Sequence, residues 1–172
     1  YGSINKSKET EYSQLSVISK LIKNERDNLN IIITTERSLQ PHLINKKIFK
    51  ENILTLSKGI ELDIKELTNK LVLLGYNKEN LTSLEGSWSR RGEIIDIYPV
   101  NNELPIRIEF FDNIIDKIRE YDPVTQRTLD SINKVEIVQV GFNLLIRKKL
   151  ENLSAERTFS SEDIANKNNL DR

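Results

Sequence analysis

The sequence predicts an α+β module, one helix packed on an antiparallel β meander, inserted in part of a truncated α/β domain. Three observations carry this. From Trp88 to Tyr121 the apolar residues recur with a period of two, interrupted by the turn-forming pairs Asn101-Asn102 and Asp112-Asn113. Just before it, Ile64, Leu67, Leu71 and Leu74 recur at helical spacing between Asp63 and Gly75. Nearer the start, Leu29–Ile33 is a continuous apolar run between two helical patterns, the texture of an open α/β sheet.

The elements follow in order. Tyr12, Leu15, Ile18 and Ile22 place one apolar stripe on a helix over Glu9–Lys23, which Asp27-Asn28 breaks. Leu29–Ile33 is expected to be a buried strand. Thr35 then serves as N-cap for a short helix over Glu36–Gln40. Ile53–Leu56 is the next strand, turned at Lys58-Gly59. Asp63 with Glu66 resembles a capping box, opening a helix that runs through Leu74 and closes at Gly75. The alternating stretch reads as a three-strand meander, left at Asp122-Pro123. Lys134–Val140 alternates as one more strand. Leu144–Leu153 reads as a helix, and Ser154–Arg172 as a polar, frayed tail. The expected organisation is 1–52 in the α/β domain, 53–122 as the module and 123–172 as the returning segment.

Composition narrows the chemistry. The 172 residues carry 26 basic and 26 acidic side chains, a formal net charge of zero. Residues 53–122 hold 9 basic against 13 acidic side chains, a net −4, which is a poor phosphate binder. Cysteine is absent, removing disulfides and zinc-thiolate sites, and the single His42 cannot build a histidine metal cluster. No apolar run reaches the ~20 residues of a membrane span, and no signal peptide is evident, so the expected compartment is the cytoplasm. The chain starts at Tyr1 and has no methionine, which marks it as a piece of something longer. No Gly-rich loop ends in Gly-Lys-Ser/Thr, and Lys58-Gly59 is in the wrong order to cradle phosphates. Neither cofactor nor metal is expected in this piece.

Two sets of residues compete for a functional role. Glu93, Asp96, Glu109 and Asp112 lie on neighbouring strands, where paired carboxylates could do acid–base work, as in a small hydrolase. The blander alternative is cross-strand pairing with Arg and Lys. The second set is a docking face. In Ile106–Phe111 the alternation puts Ile106, Ile108 and Phe110 on one side and Arg107, Glu109 and Phe111 on the other. With the first set facing the helix, Phe111 is an exposed ring between charges, the composition of an interface anchor. Arg90 and Arg91 precede Gly92, a residue that often marks a bulge, so parity does not say which of them shares a face with Arg107. Arg107 is expected to point away from the core, so that its truncation leaves stability near wild type.

The stretch Trp88-Ser-Arg-Arg-Gly-Glu-Ile-Ile-Asp-Ile-Tyr-Pro resembles a family strand of the form aromatic-x-x-Arg-Gly-x-hydrophobic-hydrophobic-Asp/Glu-hydrophobic-Phe-Pro. Ile106-Arg-Ile-Glu-Phe-Phe-Asp resembles the strand that follows it, and Leu62-Asp…Leu74-Gly-Tyr the helix before it. The family is the UvrA-binding module shared by UvrB and the bacterial transcription-repair coupling factor Mfd, and the match runs continuously from about Ile53 to Asp130. Asp122-Pro-Val-Thr-Gln-Arg-Thr-Leu resembles the coupling factor's exit from the module. Glu85-Gly86 stands where UvrB has Arg-Gly, and Ser89 where UvrB has an arginine. Thr34-Thr-Glu-Arg-Ser-Leu-Gln resembles the coupling factor's degenerate helicase-like domain, which lacks a working ATP site. The resemblance implies a recruitment module that binds UvrA, without catalysis of its own. Arg91 and Arg107 carry over by register, Phe110 or Phe111 would supply the apolar contact, and Arg90 and Asp112 border the same surface. It also implies a parent that is an ATP- and magnesium-dependent DNA translocase, meeting DNA and RNA polymerase through other domains. The equivalent region of UvrB is the alternative within the family.

Overall fold

A computed structural model describes residues 8–23, 31–35 and 46–142. The expected helices over Glu36–Gln40 and Leu144–Leu153, the tail from Ser154, the break at Asp27-Asn28 and His42 lie outside the described residues. The elements are α1 (Lys8–Lys23), α2 (Lys46–Glu51), β1 (Leu54–Ser57), α3 (Ile64–Leu73), β2 (Asn77–Lys78), β3 (Ser87–Arg91), β4 (Ile94–Tyr98), β5 (Ile106–Phe111), β6 (Ile114–Tyr121), β7 (Thr128–Ile132) and β8 (Lys134–Ile137). Strands β2 to β7 form one sheet in chain order, antiparallel throughout except for the short parallel β2–β3 pair. Strands β1 and β8 form a separate antiparallel pair.

The helix read from Asp63 is present and its N-cap is formed, but only half of the expected capping box is, since Glu66 Oε1 pairs with Lys70 at 2.7 Å. The Asp63 side chain accepts from the Lys65 and Glu66 amides at 2.6 and 3.3 Å, satisfying two of the orphan donors of the first turn. Gly75, at φ +87°, ends it in the left-handed conformation that glycine adopts freely. Leu67 and Leu71 of α3 pack on the face of the sheet formed by Ile95, Ile97, Ile106, Ile108, Ile115 and Ile118, all fully or almost fully buried. Each such side chain contributes roughly 1.5–3 kcal/mol by leaving water. Ile106, Ile108 and Phe110 thus face the helix, as the alternation predicts.

Between Trp88 and Tyr121 the meander has four strands rather than three, and β7 continues it as a fifth beyond Asp122-Pro123. Arg91 pairs with Ile94 across a two-residue turn at Gly92-Glu93, with Gly92 at φ +60°. A glycine with positive φ at the first turn position is what a tight hairpin of right-handed twist requires. Gly92 therefore reverses the chain instead of bulging a strand. Phe111 pairs with Ile114 across Asp112-Asn113, the expected hairpin turn. The Asn101-Asn102 connection also exists, but its loop spans residues 99–105. There Asn101 donates to the Glu136 carbonyl at 2.7 Å and accepts from the Val138 amide at 3.3 Å.

Helix α1 and strand β8 occupy their expected places. Tyr12 and Leu15 of α1 pack with Phe49, Val100, Val138 and Phe142 in a second apolar cluster. Gly86, at φ +76°, allows this approach, since a Cβ there would lie 2.7 Å from Tyr12 Oη. Glu11 Oε1 accepts from the Phe142 amide at 2.7 Å, and Lys23 pairs with Glu136 at 2.9 Å. The buried Leu29–Ile33 strand is not found in its described part. Residues 31–35 form no regular element and join no sheet, and Ile31 and Ile33 are 80% and 95% exposed. An apolar run becomes a buried strand only where neighbouring strands and a covering layer exist, and none of the described residues supplies them.

Candidate protein-docking site

The register places Ser89, Asp96, Arg107 and Arg119 in one row across four strands, on the face opposite α3. Arg91 follows Ser89 by two residues and so projects on the same side, whereas Arg90 has the other parity. Arg90 is exposed and donates from Nε to the Gly92 carbonyl at 2.9 Å. Arg91 is thus the arginine that shares a face with Arg107.

At the centre of the row lies a carboxylate. Asp96 is 2% exposed at its side chain and takes both Arg107 contacts, Nε to Oδ1 at 2.7 Å and Nη2 to Oδ2 at 2.9 Å. Arg91 Nη2 reaches the same Oδ2 at 3.1 Å. Such a two-point guanidinium–carboxylate pair is stronger and more directional than a single neutral bond. The Arg107 guanidinium also stacks over the Tyr121 ring, 4.7 Å from its centre. Its hydrogen bonds to Asp96 are the foremost reason that its pKa is raised above the ordinary arginine value.

Two loops close over this row. Thr82, fully buried, places Oγ1 2.9 Å from Ser89 Oγ and 3.2 Å from the Asp96 carbonyl oxygen. Tyr121 Oη donates to the Thr82 carbonyl at 3.0 Å, and burial pushes the phenol pKa up. On the other side, the Asp122 carboxylate accepts from the Thr125 and Val124 amides, which holds its pKa below the usual carboxylate value. That turn presents Gln126, whose Oε1 lies 3.4 Å from Arg107 Nη2. The middle of the face opposite α3, around Asp96 and Arg107, is therefore a polar interior, with Arg91 at its edge left open to solvent.

This corrects the expectation that truncating Arg107 leaves stability untouched. Alternation assigned Arg107 away from the apolar core, and that much holds. Yet its side chain is only 14% exposed and neutralises a buried charge. Arg91, at 56% side-chain exposure, keeps most of its surface in solvent.

Of the aromatic candidates, Phe110 lies in the core beneath α3 at 7% exposure, and Phe111 stands out at 71%. Phe111 ends β5 at the hairpin whose other side is the half-exposed Ile114, and the Glu61 bridge to Ile114 brings Ile60 close by. Asp112, at φ +54°, makes the turn between them. The four carboxylates do not converge as an acid–base set. Glu109 pairs with Arg119 at 3.1 Å and with Lys117 at 3.8 Å, Asp96 is clamped, and Glu93 and Asp112 sit in separate turns. Among the described residues no group of three acidic or histidine side chains is placed to hold a metal ion. Thr82, Tyr121 and Gln126 are parts of the site that the sequence did not single out, whereas Asp96 was named and takes the cross-strand pairing with arginine that was the alternative to acid–base work.

Residues 54–140, from the start of β1 to just beyond β8, match the UvrB interaction domain family. The chain belongs to this family. Membership makes it a protein-interaction module, consistent with the arginine cluster and exposed ring. The chain is 36% identical over 126 residues to the transcription-repair-coupling factor of Staphylococcus haemolyticus, covering 73% of this chain and 11% of that protein. It is 40% identical over 109 residues to the protein of that name from Staphylococcus epidermidis, covering 63% and 9% respectively. The chain thus spans about a tenth of the length of the curated relatives it matches. No described helix is long and apolar enough to cross a membrane.

Proposed function

We propose that this chain is the UvrA-docking module of a bacterial transcription-repair coupling factor. Arg91, Arg107 and Phe111 form the centre of its docking face, with Asp112 at the margin, while Arg90 projects from the other side of the sheet. The observation that carries the reading is the convergence of Arg91 and Arg107 on one sheet face of a UvrB interaction domain, with Phe111 exposed at the end of the same strand as Arg107. A module with net charge −4 presents two guanidinium groups against one carboxylate there, a local excess suited to acidic groups on a protein. The coupling factor is favoured over UvrB by Ser89. The position where UvrB carries an arginine is here a buried serine bonded to Thr82, with no side chain offered to a partner. The setting in a degenerate helicase-like α/β domain belongs to the same reading. So do the bacterial cytoplasm, and a parent that uses ATP and magnesium and meets DNA and RNA polymerase through other domains.

Arg91→Ala and Phe111→Ala test this with little risk to folding, since both side chains are mostly exposed. A charge-assisted contact is worth ~1.5–3 kcal/mol, and ~1.4 kcal/mol is a factor of ten, so Arg91→Ala should weaken UvrA binding about tenfold. Phe111→Ala should act in the same direction, and the melting temperatures should stay near wild type. Titration of UvrA against each variant, with a thermal melt beside it, decides the matter. Normal binding by both folded variants would place the docking face elsewhere.

A further inference from the structure

We propose that Asp96 is a positioning residue for docking, fixing Arg91 and Arg107 in a preset orientation before the partner arrives. The inference rests on the docking reading above. Three hydrogen bonds from two arginines end on this single carboxylate, 2.7, 2.9 and 3.1 Å long. The Asp96 backbone is itself held on both sides, since it lies mid-strand in β4 between two paired neighbours. The Tyr121 ring and Gln126 hold Arg107 from its other sides.

A free arginine loses considerable rotamer freedom when it is pinned in an interface. Here that loss is incurred on folding, so association no longer has to supply it. Arg91 commits one N–H to Asp96 and leaves the rest of its guanidinium facing out, since the side chain remains 56% exposed. The same carboxylate has an opposing electrostatic effect, because it cancels one of the two positive charges. Attraction of charge alone would therefore make Asp96 a hindrance to an acidic partner, and positioning makes it a help. The two roles predict opposite signs.

The experiment is a double-mutant cycle on the full chain, with UvrA binding and thermal melting measured for wild type, Arg91→Ala, Asp96→Asn and the double variant. Positioning predicts that Asp96→Asn weakens binding roughly fivefold or more, although it removes a negative charge, and that Arg91→Ala costs less than about threefold in its background. Binding that is unchanged or tighter in Asp96→Asn, or an Arg91→Ala effect equal in both backgrounds, overturns the positioning role while docking stands. Neutral Arg91→Ala and Phe111→Ala variants remove the docking reading, and this proposal with it. Should Asp96→Asn fail to fold, arginine side-chain NMR on the wild type decides instead. Slow rotation about the Arg107 Nε–Cζ bond with a protected Nε–H, and restricted motion of Arg91, supports the proposal. Freely rotating guanidinium groups overturn it.

Discussion

Arg107→Ala should cost about 3–5 kcal/mol of folding stability, the usual consequence of stripping the partner from a buried charge. The carboxylate left behind is Asp96, 2% exposed at its side chain and facing a row of polar groups closed over by two loops. The 3.1 Å contact from Arg91 would remain and would soften the loss without replacing a two-point pair. The stacking on Tyr121 would also go. For a chain of 172 residues each kcal/mol lowers the melting temperature by roughly 2–4 °C, so the change is still clear in a simple thermal melt. A loss under about 1 kcal/mol by denaturant titration would mean that Asp96 is solvated in the native state, contrary to its burial. Weak UvrA binding by Arg107→Ala is thus ambiguous unless the folded fraction is measured, and Arg91 and Phe111 are the cleaner probes.

Ile108→Ala should cost about 2–5 kcal/mol through the opposite face of the same strand. Ile108 is fully buried, lies next to Ile95 and Ile118 across its neighbouring strands, and sits in the cluster that packs on α3. Its truncation removes apolar contact and leaves a cavity that a sheet bonded on both sides cannot easily collapse around. The material that remains folded should bind UvrA as wild type does, because no docking residue has moved. Equilibrium denaturation gives the stability term, and binding at a temperature well below the midpoint gives the second. Reduced affinity in the folded protein would show that the apolar core and the docking face are coupled.

The parts of the fold legible in the sequence are those governed by neighbours in the chain. Asp63, Glu66 and Gly75 define α3 because capping and left-handed termination act over three or four residues. The Asp112-Asn113 hairpin and the inward set Ile106, Ile108 and Phe110 follow from turn chemistry and alternation. What alternation cannot supply is the layer on the far side. It places Arg107 opposite Ile106 and Ile108, but not the loops carrying Thr82 and Gln126 that turn that side into an interior. Asp96 was legible as one of four carboxylates with cross-strand pairing to Arg or Lys as one alternative, but its meeting with Arg107 in particular depends on the β4–β5 register, which the longer loop over 99–105 sets. The apolar Ile31–Ile33 was legible as a run but not as exposed, because burial depends on what stands beside it.

The separate β1–β8 pair has a consequence for the order in which the molecule assembles. It joins Leu54 to Ile137, residues about 80 apart, whereas the hairpins at Gly92-Glu93 and Asp112-Asn113 each close over two residues. Closing so long a segment is entropically unfavourable until the hairpins between have formed and drawn its ends together. The pair should therefore close late and open early, like a latch on a sheet already built. Amide hydrogen exchange can see this, as faster exchange across β1–β8 than across β4–β5 in native buffer. Equal protection would instead make the latch and the sheet one cooperative unit. In the first case, residues 54–57 and 134–137 form the element through which tension or strain from neighbouring chain would first be felt, while the arginine face behind it stays intact.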